Sequence, residues 1–340
     1  MREQRRMKRE SNRPRKMAFP SGHALTKQGR LFGLLLTLPA LLVMSGVIVY
    51  PLTYSFLLSF RRIDIIANRR IWVGLANYAH LFGNPVWWTS LRNTFVFVVA
   101  AVAGELVIGL ALALLLNGMP KRGKTLMQTF FLVPMMIALV IAAMMWRWLL
   151  VDQYGIINYL LRLIGIGAPQ WFGRPFLAMA VLVVVDWWVA VPFSMILLIA
   201  GLQNFNPELI EAAKIDGANG RQRLFGIILP LLRPVILFII LIRTMDAFRV
   251  FDTVYILTGG GPGTSTEVIT SLGYKLAFSG LKFGETAALS VVTFVVIMVV
   301  SVVFLRIFSS GDARAARGRG KSRANEHEAE RGIECADTTA

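Results

Sequence analysis

One cysteine, three histidines and few charges narrow the chemistry open to this chain of 340 residues. Cys335 has no second cysteine to pair with, so an intrachain disulfide is excluded and a dithiol redox centre has nothing to build it. His23, His80 and His327 are scattered, which leaves no metal-ligand or acid–base cluster at a recognisable spacing and no support for a hydrolytic or metal-dependent enzyme. Acidic residues are scarce as well: 19 Asp and Glu stand against 36 Lys and Arg, a formal net charge of +17. Charged residues make up 16% of the chain and hydrophobic ones 56%, more apolar surface than one water-soluble core buries. Lipid must cover it.

What is present is a set of long hydrophobic runs. A helix crossing about 30 Å of hydrocarbon needs roughly 20 residues, and six runs qualify: 31–60, 93–117, 126–150, 176–202, 228–256 and 285–308. Each must be helical, because backbone groups in lipid have no water to bond. The expected fold is all-α: a polytopic membrane protein with about six transmembrane helices over residues 31–308, a basic arm over 1–30 and a disordered polar tail over 309–340. The first run is too long for a signal peptide and lies behind a long basic segment, so it is expected to stay as an anchor.

Lys and Arg give the orientation. Segments 1–30, 118–125, 203–233 and 309–340 hold 10, 3, 4 and 6 of them, while the loops on the other side hold 5, 2 and 2. This places both termini and the 203–233 segment in the cytoplasm. The arms decide the vote, since without them 7 face 9. A basic arm just before a span is accounted for by topology and anionic lipid, so no nucleic-acid partner is expected. The tail sequence AARGRGKS, 315–322, satisfies a relaxed phosphate-loop pattern but lacks the strand and helix that such a loop requires, so the chain is expected to bind no ATP.

Between the fourth and fifth runs lies a polar stretch, EAAKIDGANGRQRLFGIILPLLRP, residues 211–234. Asn206 is placed to cap a short helix, Pro207 suits its first position and Glu208 complements the positive helix end. Gly217 should stop that helix, and Asn219 with Gln222 reads as a capping box that starts another. Glu211, Ala212, Ala213, Asp216, Gly217 and Ala218, followed by Phe225, Leu229, Pro230 and Pro234, resemble the cytoplasmic EAA loop of permease subunits in ATP-binding-cassette (ABC) importers. The resemblance implies that this loop carries the coupling helix that docks on an ATPase subunit.

Two further stretches extend the likeness. WVGLANYAHLFGNPVWWTSLRNT, 72–94, resembles the external segment of carbohydrate-uptake permeases, and FDTVYILTGGGPGTSTEVIT, 251–270, resembles the signature of the half represented by the maltose, lactose and glycerol-3-phosphate importers. The likeness implies a type I importer permease fold in a bacterial-type plasma (inner) membrane. It also implies a second unlike permease, two ATPase subunits that hold the ATP, and an external solute-binding protein. The glycines 259–261 and 263 with Pro262 must end the fifth run in a turn, with or without solute contact.

Charges inside lipid usually face a cavity or a partner. Glu105, Asp186, Arg243, Asp246, Arg249 and Asp252 fall in apolar runs. Asp186, Val189, Ala190 and Phe193 share one helical face by spacing, as do Met245, Phe248, Arg249 and Asp252. The resemblance implies that both sets line the solute pathway. Family members often carry Asn or Ser where this chain has Arg249 and Asp252, which leaves the solute's charge open. Arg249 with Asp252, or Arg243 with Asp246, alternatively form i,i+3 pairs that neutralise one another, and Glu105 reads as an interhelical hydrogen-bonding group. Trp187, Trp188, Phe248 and Tyr255 are placed either to stack on a sugar ring or to serve as interfacial anchors, and Trp87 and Trp88 fit the anchor reading better. Pro192, Pro230 and Pro234 are expected to bend their helices. A reading from another class is an ion-driven secondary transporter in which Glu105 and Asp186 relay protons.

Overall fold

The computed structural model describes residues 27–64 and 69–306; the basic arm, Cys335, His23, His327 and the phosphate-loop-like tail lie outside them. The chain divides into two compact units, Met1–Tyr54 and Ser55–Ala340. In the first, α1 (Lys27–Met44) passes through a π turn at Ser45–Val49 into α2 (Tyr50–Leu58), which runs on into the second unit. Tyr50 and Tyr54 stack one turn apart, with ring centroids 6.3 Å from each other.

The second unit opens with an addition to the all-helical expectation, a hairpin of β1 (Arg61–Asp64) and β2 (Arg69–Trp72), antiparallel with Arg61 opposite Trp72. After α3 (Ala76–Gly83) comes α4 (Pro85–Asn117), which starts eight residues before the expected 93. Asn84 caps it by accepting from the Val86 N–H at 2.9 Å, and Pro85 takes its first position. Thr89, Ser90 and Arg92 disguised this start; Ser90, like Asn93 and Thr94 beyond it, is buried, facing protein.

The third expected span, 126–150, is not one straight helix. The segment α5 (Lys121–Leu132) with its 3-10 extension Val133–Met136 meets α6 (Leu139–Leu149) at 94°. Pro134 has no N–H to continue an α ladder, and Ile137 and Ala138 take extended ψ values of 132° and 136°. A short α7 (Ile156–Leu163) precedes α8 (Pro175–Gln203), which continues through Pro192. Next come α9 (Pro207–Ile215), α10 (Gly220–Arg223) and α11 (Leu229–Ala247); the last two are joined by a π turn at Leu224–Ile228 into one helix, Gly220–Ala247. That helix ends short of the expected 256. It is followed by α12 (Asp252–Leu257), α13 (Ile269–Tyr274), a π turn at Lys275–Ser279 and α14 (Phe283–Arg306).

Among the described residues five helices are long and apolar enough to cross a membrane, six if the bent α5–α6 pair is one broken span. The core runs along α4 and α8. Phe97, Ala101 and Val102 meet Leu182 and Val185 at one end, and Ala113 and Leu116 meet Leu198, Leu202 and Leu232 at the other.

Candidate functional site

The polar stretch folds as its caps dictate. Asn206 Oδ1 accepts from the Glu208 N–H, and α9 runs on to Asp216. Gly217 takes φ +78°, a left-handed conformation, while the Ala218 N–H closes the end by donating to Ala213 O at 2.9 Å. Asn219 and Gln222 exchange side-chain-to-backbone bonds of 2.8 Å each, so the chain restarts as a helix within three residues of the turn. Glu211, Ala212, Asp216 and Gly217 are exposed, and Ala213 and Ala218 half-buried. Apolar side chains on this elbow are exposed too: Ile215 keeps 86% of its surface and Phe225 64%.

A cavity of about 590 Å³ lies against α8, α11 and the residues that follow α11. Asp186, Val189, Ala190, Phe193, Arg249 and Asp252 line it, so six of the eight expected pathway residues come together. Met245 and Phe248 do not. The regular helix stops at Ala247, so spacings of three, four and seven no longer define one face beyond it. Phe248 turns inward, 1% exposed, with its ring edge-on to Phe95 at 5.2 Å, and Met245 lies outside the cavity lining.

Arg243 organises the buried charge. Its Nε donates to Glu105 Oε2 at 2.5 Å and its Nη2 to Asp186 Oδ2 at 3.0 Å, while Nη1 stands 3.8 Å from Asp246. Ser194 donates its hydroxyl to the other Glu105 oxygen at 2.5 Å. Glu105 on α4, entirely buried, therefore bridges to α8 and α11. The i,i+3 pair Arg243–Asp246 is the weakest of the three contacts, and among the described residues no ion pair joins Arg249 to Asp252. Ser194 escaped the sequence reading although it continues the four-residue spacing of Asp186 and Ala190. The long-range partners of Arg243 left no trace in local spacing.

The glycine-rich turn is braced away from the cavity. Glu267, 1% exposed, pairs with Lys275 at 2.5 Å and accepts from Ser271 at 2.8 Å; Lys275 also donates to Gly259 O. Asn93 donates to the carbonyls of Thr264 and Glu267, tying the turn to α4. The Gly261–Pro262 peptide is cis. Trp87 is not an interfacial anchor: it is buried with Leu81, Ile269 and Leu289. Trp88 is exposed and donates to Phe82 O. Trp187 is held between helices, donating to Ala100 O and Ala101 O, rather than presented to the cavity. No group of three metal-ligating side chains exists among the described residues.

Residues 105–312 match the family model described as "Binding-protein-dependent transport system inner membrane component". The chain belongs to that family. It is 36% identical over 275 residues to the trehalose/maltose transport system permease protein MalF of Thermococcus litoralis, covering 81% of this chain and 92% of that protein. It is 35% identical to the sulfoquinovosyl glycerol transport system permease protein SmoG of Agrobacterium fabrum, covering 83% and 92%. The trehalose transport system permease protein SugA of Mycobacterium tuberculosis is 35% identical, with 83% and 90% covered. A chain of a bacterial ABC transporter involved in the import of the acidic polysaccharide alginate superposes with a TM-score of 0.72 at 22% identity, over 91% of this chain and 99% of that one. The fold is that of an ABC importer permease, a multi-pass membrane component whose ATPase is a separate subunit. Membership in a binding-protein-dependent family leaves the ion-driven reading without support, and Arg243 occupies both carboxylates that a proton relay would have used.

Proposed function

We propose that this chain is the membrane-spanning half of a carbohydrate importer that moves a sugar or related polyol delivered by an external solute-binding protein. It works beside a second, unlike permease and over two ATPase subunits, with both termini and the Glu211–Gly217 elbow in the cytoplasm. The names of its relatives, trehalose/maltose and sulfoquinovosyl glycerol permeases, support the solute class. The observation that carries the reading is the elbow itself. A capped helix fixed by Gly217 at φ +78° holds Ile215 at 86% exposure, an apolar side chain that a groove on another subunit would cover.

ATP binding closes the ATPase dimer and displaces α9. The displacement passes through α10 and the π turn at Leu224–Ile228 into α11, which carries Arg243 and leads into the cavity wall. The cavity lined by Asp186, Val189, Phe193, Arg249 and Asp252 then opens outward to receive solute, and hydrolysis reverses the step. Glu211, Ala212, Ala213, Asp216, Gly217 and Ala218 form the docking element.

Glu211→Ala and Gly217→Val, tested in the full complex in proteoliposomes, are expected to lose solute uptake while ATP hydrolysis continues and the subunit stays inserted. Wild-type uptake by both variants would sink the coupling role.

A further inference from the structure

A second groove, about 500 Å³, opens where three apolar helices end. Asn77 on α3 donates to Ser59 O at 2.7 Å and to Arg61 O at 3.0 Å, fixing the exit of α2. Gly284, in the first turn of α14, lies so close that a Cβ there would fall 2.0 Å from Arg61 O. Asn84 follows α3 directly and caps α4. The ends of α2 and the starts of α4 and α14 thus share one level, which for membrane-crossing helices is the border between hydrocarbon and water.

Basic side chains outnumber acidic ones at this level. Arg62 from β1, His80 from α3 and Lys282 line the groove, and Arg69 and Arg70 lie exposed on the neighbouring strand. The one carboxylate in the lining, Glu285, pairs with Lys282 at 3.2 Å in an exposed i,i+3 contact, a kind that is weak and exchangeable. Ile63, Val73 and Leu281 supply apolar walls. Trp72, 62% exposed, stacks on Phe60 beside them, as aromatics do at the lipid border. Cations gathered here run against the bias that puts Lys and Arg on the cytoplasmic side, and the proposed transport mechanism gives them no task.

We propose that this groove binds the headgroup of an anionic phospholipid in the leaflet opposite the Glu211 elbow. Arg62 and Lys282 hold the phosphodiester by charge-assisted hydrogen bonds, and the apolar walls flank the glycerol end of the lipid.

Trp72 provides a reporter local to the groove. The assembled importer is placed in nanodiscs containing brominated phosphatidylglycerol or, at equal mole fraction, brominated phosphatidylcholine. The Trp72 emission is obtained as the difference between the wild type and Trp72→Phe. The glycerol lipid is expected to quench it more strongly, with an occupancy preference of about fivefold per cation. That preference falls in Arg62→Gln and Lys282→Gln, persists in Arg62→Lys and Lys282→Arg, and is unchanged by millimolar inorganic phosphate. The four replacements alter exposed side chains, and the conservative pair separates loss of binding from loss of assembly. Equal quenching by the two lipids, or a preference indifferent to both Gln variants, overturns the proposal. Abolition by free phosphate overturns it in favour of a soluble anion. Absence of quenching by either lipid, with Arg62→Cys crosslinking to the solute-binding protein, makes the groove a protein-docking surface instead.

Discussion

Arg243 has three carboxylates within reach and satisfies them unequally, holding Glu105 at 2.5 Å and Asp186 at 3.0 Å while Asp246 stays at 3.8 Å. The two strong partners come from other helices, so the guanidinium fastens α4 and α8 to α11. Glu105 is sealed from solvent, whereas Asp186 reaches the cavity, so removing Arg243 leaves Glu105 a buried charge without a counter-ion. Arg243→Met is accordingly expected to destabilise the subunit by about 3–5 kcal/mol, read as an earlier thermal unfolding of the purified complex. Glu105→Leu combined with Arg243→Met removes both charges, leaves Asp186 to water in the cavity, and should recover much of the loss. If Arg243→Met unfolded at the wild-type temperature, the clamp would have no energetic weight. The sequence exposed these residues as charges in lipid but offered Arg243 only the neighbour at i+3. The true partners lie 138 and 57 residues away, and no spacing rule reaches so far.

Short elements with their own chemistry were readable; breaks inside apolar runs were not. The elbow follows from Asn206, Gly217, Asn219 and Gln222, each of which satisfies backbone groups within a few residues, and it folds as expected. The bend between α5 and α6 falls in uniformly apolar sequence, where hydropathy carries no mark of a break, and the early end of α11 falls among Asp246, Arg249 and Asp252, charges read as lining a continuous helix rather than as its end. Pro134 was the available signal, and the length of the run concealed it. The turn at residues 258–267 lies between: its glycines announced a reversal, but its lock on Glu267 and Lys275 is tertiary. Gly260 sits at φ +89°, and a Cβ there would fall 1.9 Å from Glu267 Oε2. Gly260→Ala should therefore cost the left-handed penalty, about 1–2 kcal/mol, and push Glu267 off Lys275 as well. Hydrogen exchange at Gly261 and Thr266, whose amides are bonded within the turn, is expected to quicken while α8 is unaffected. Unchanged exchange there would mean that the lock does not hold the turn.

In the second unit α4 serves as a ruler, 33 residues and about 50 Å long. Asn93 near its start holds Thr264 of the glycine turn, and Leu116 near its end packs with Leu202 and Leu232, which flank the elbow. Thr264 and Arg221 therefore belong to opposite faces of the membrane, whichever way the protein is inserted. Which face is cytoplasmic rests on the Lys and Arg distribution. Lys121, Arg122 and Lys124 lie within seven residues of the end of α4, the elbow adds Lys214, Arg221 and Arg223, and the terminal arms add 10 and 6 more. The five basic residues between 61 and 92 oppose this, four of them in the hairpin. A bound anionic headgroup at that hairpin would neutralise part of the opposition and let the arms prevail. With Cys335 replaced by Ser, Thr264→Cys is expected to react with a membrane-impermeant maleimide in intact cells, and Arg221→Cys only after permeabilisation. The natural Cys335, left in place, should behave like Arg221→Cys. The reverse pattern would put the elbow outside the cell, beyond the reach of any ATPase subunit, and would remove the coupling mechanism along with the orientation.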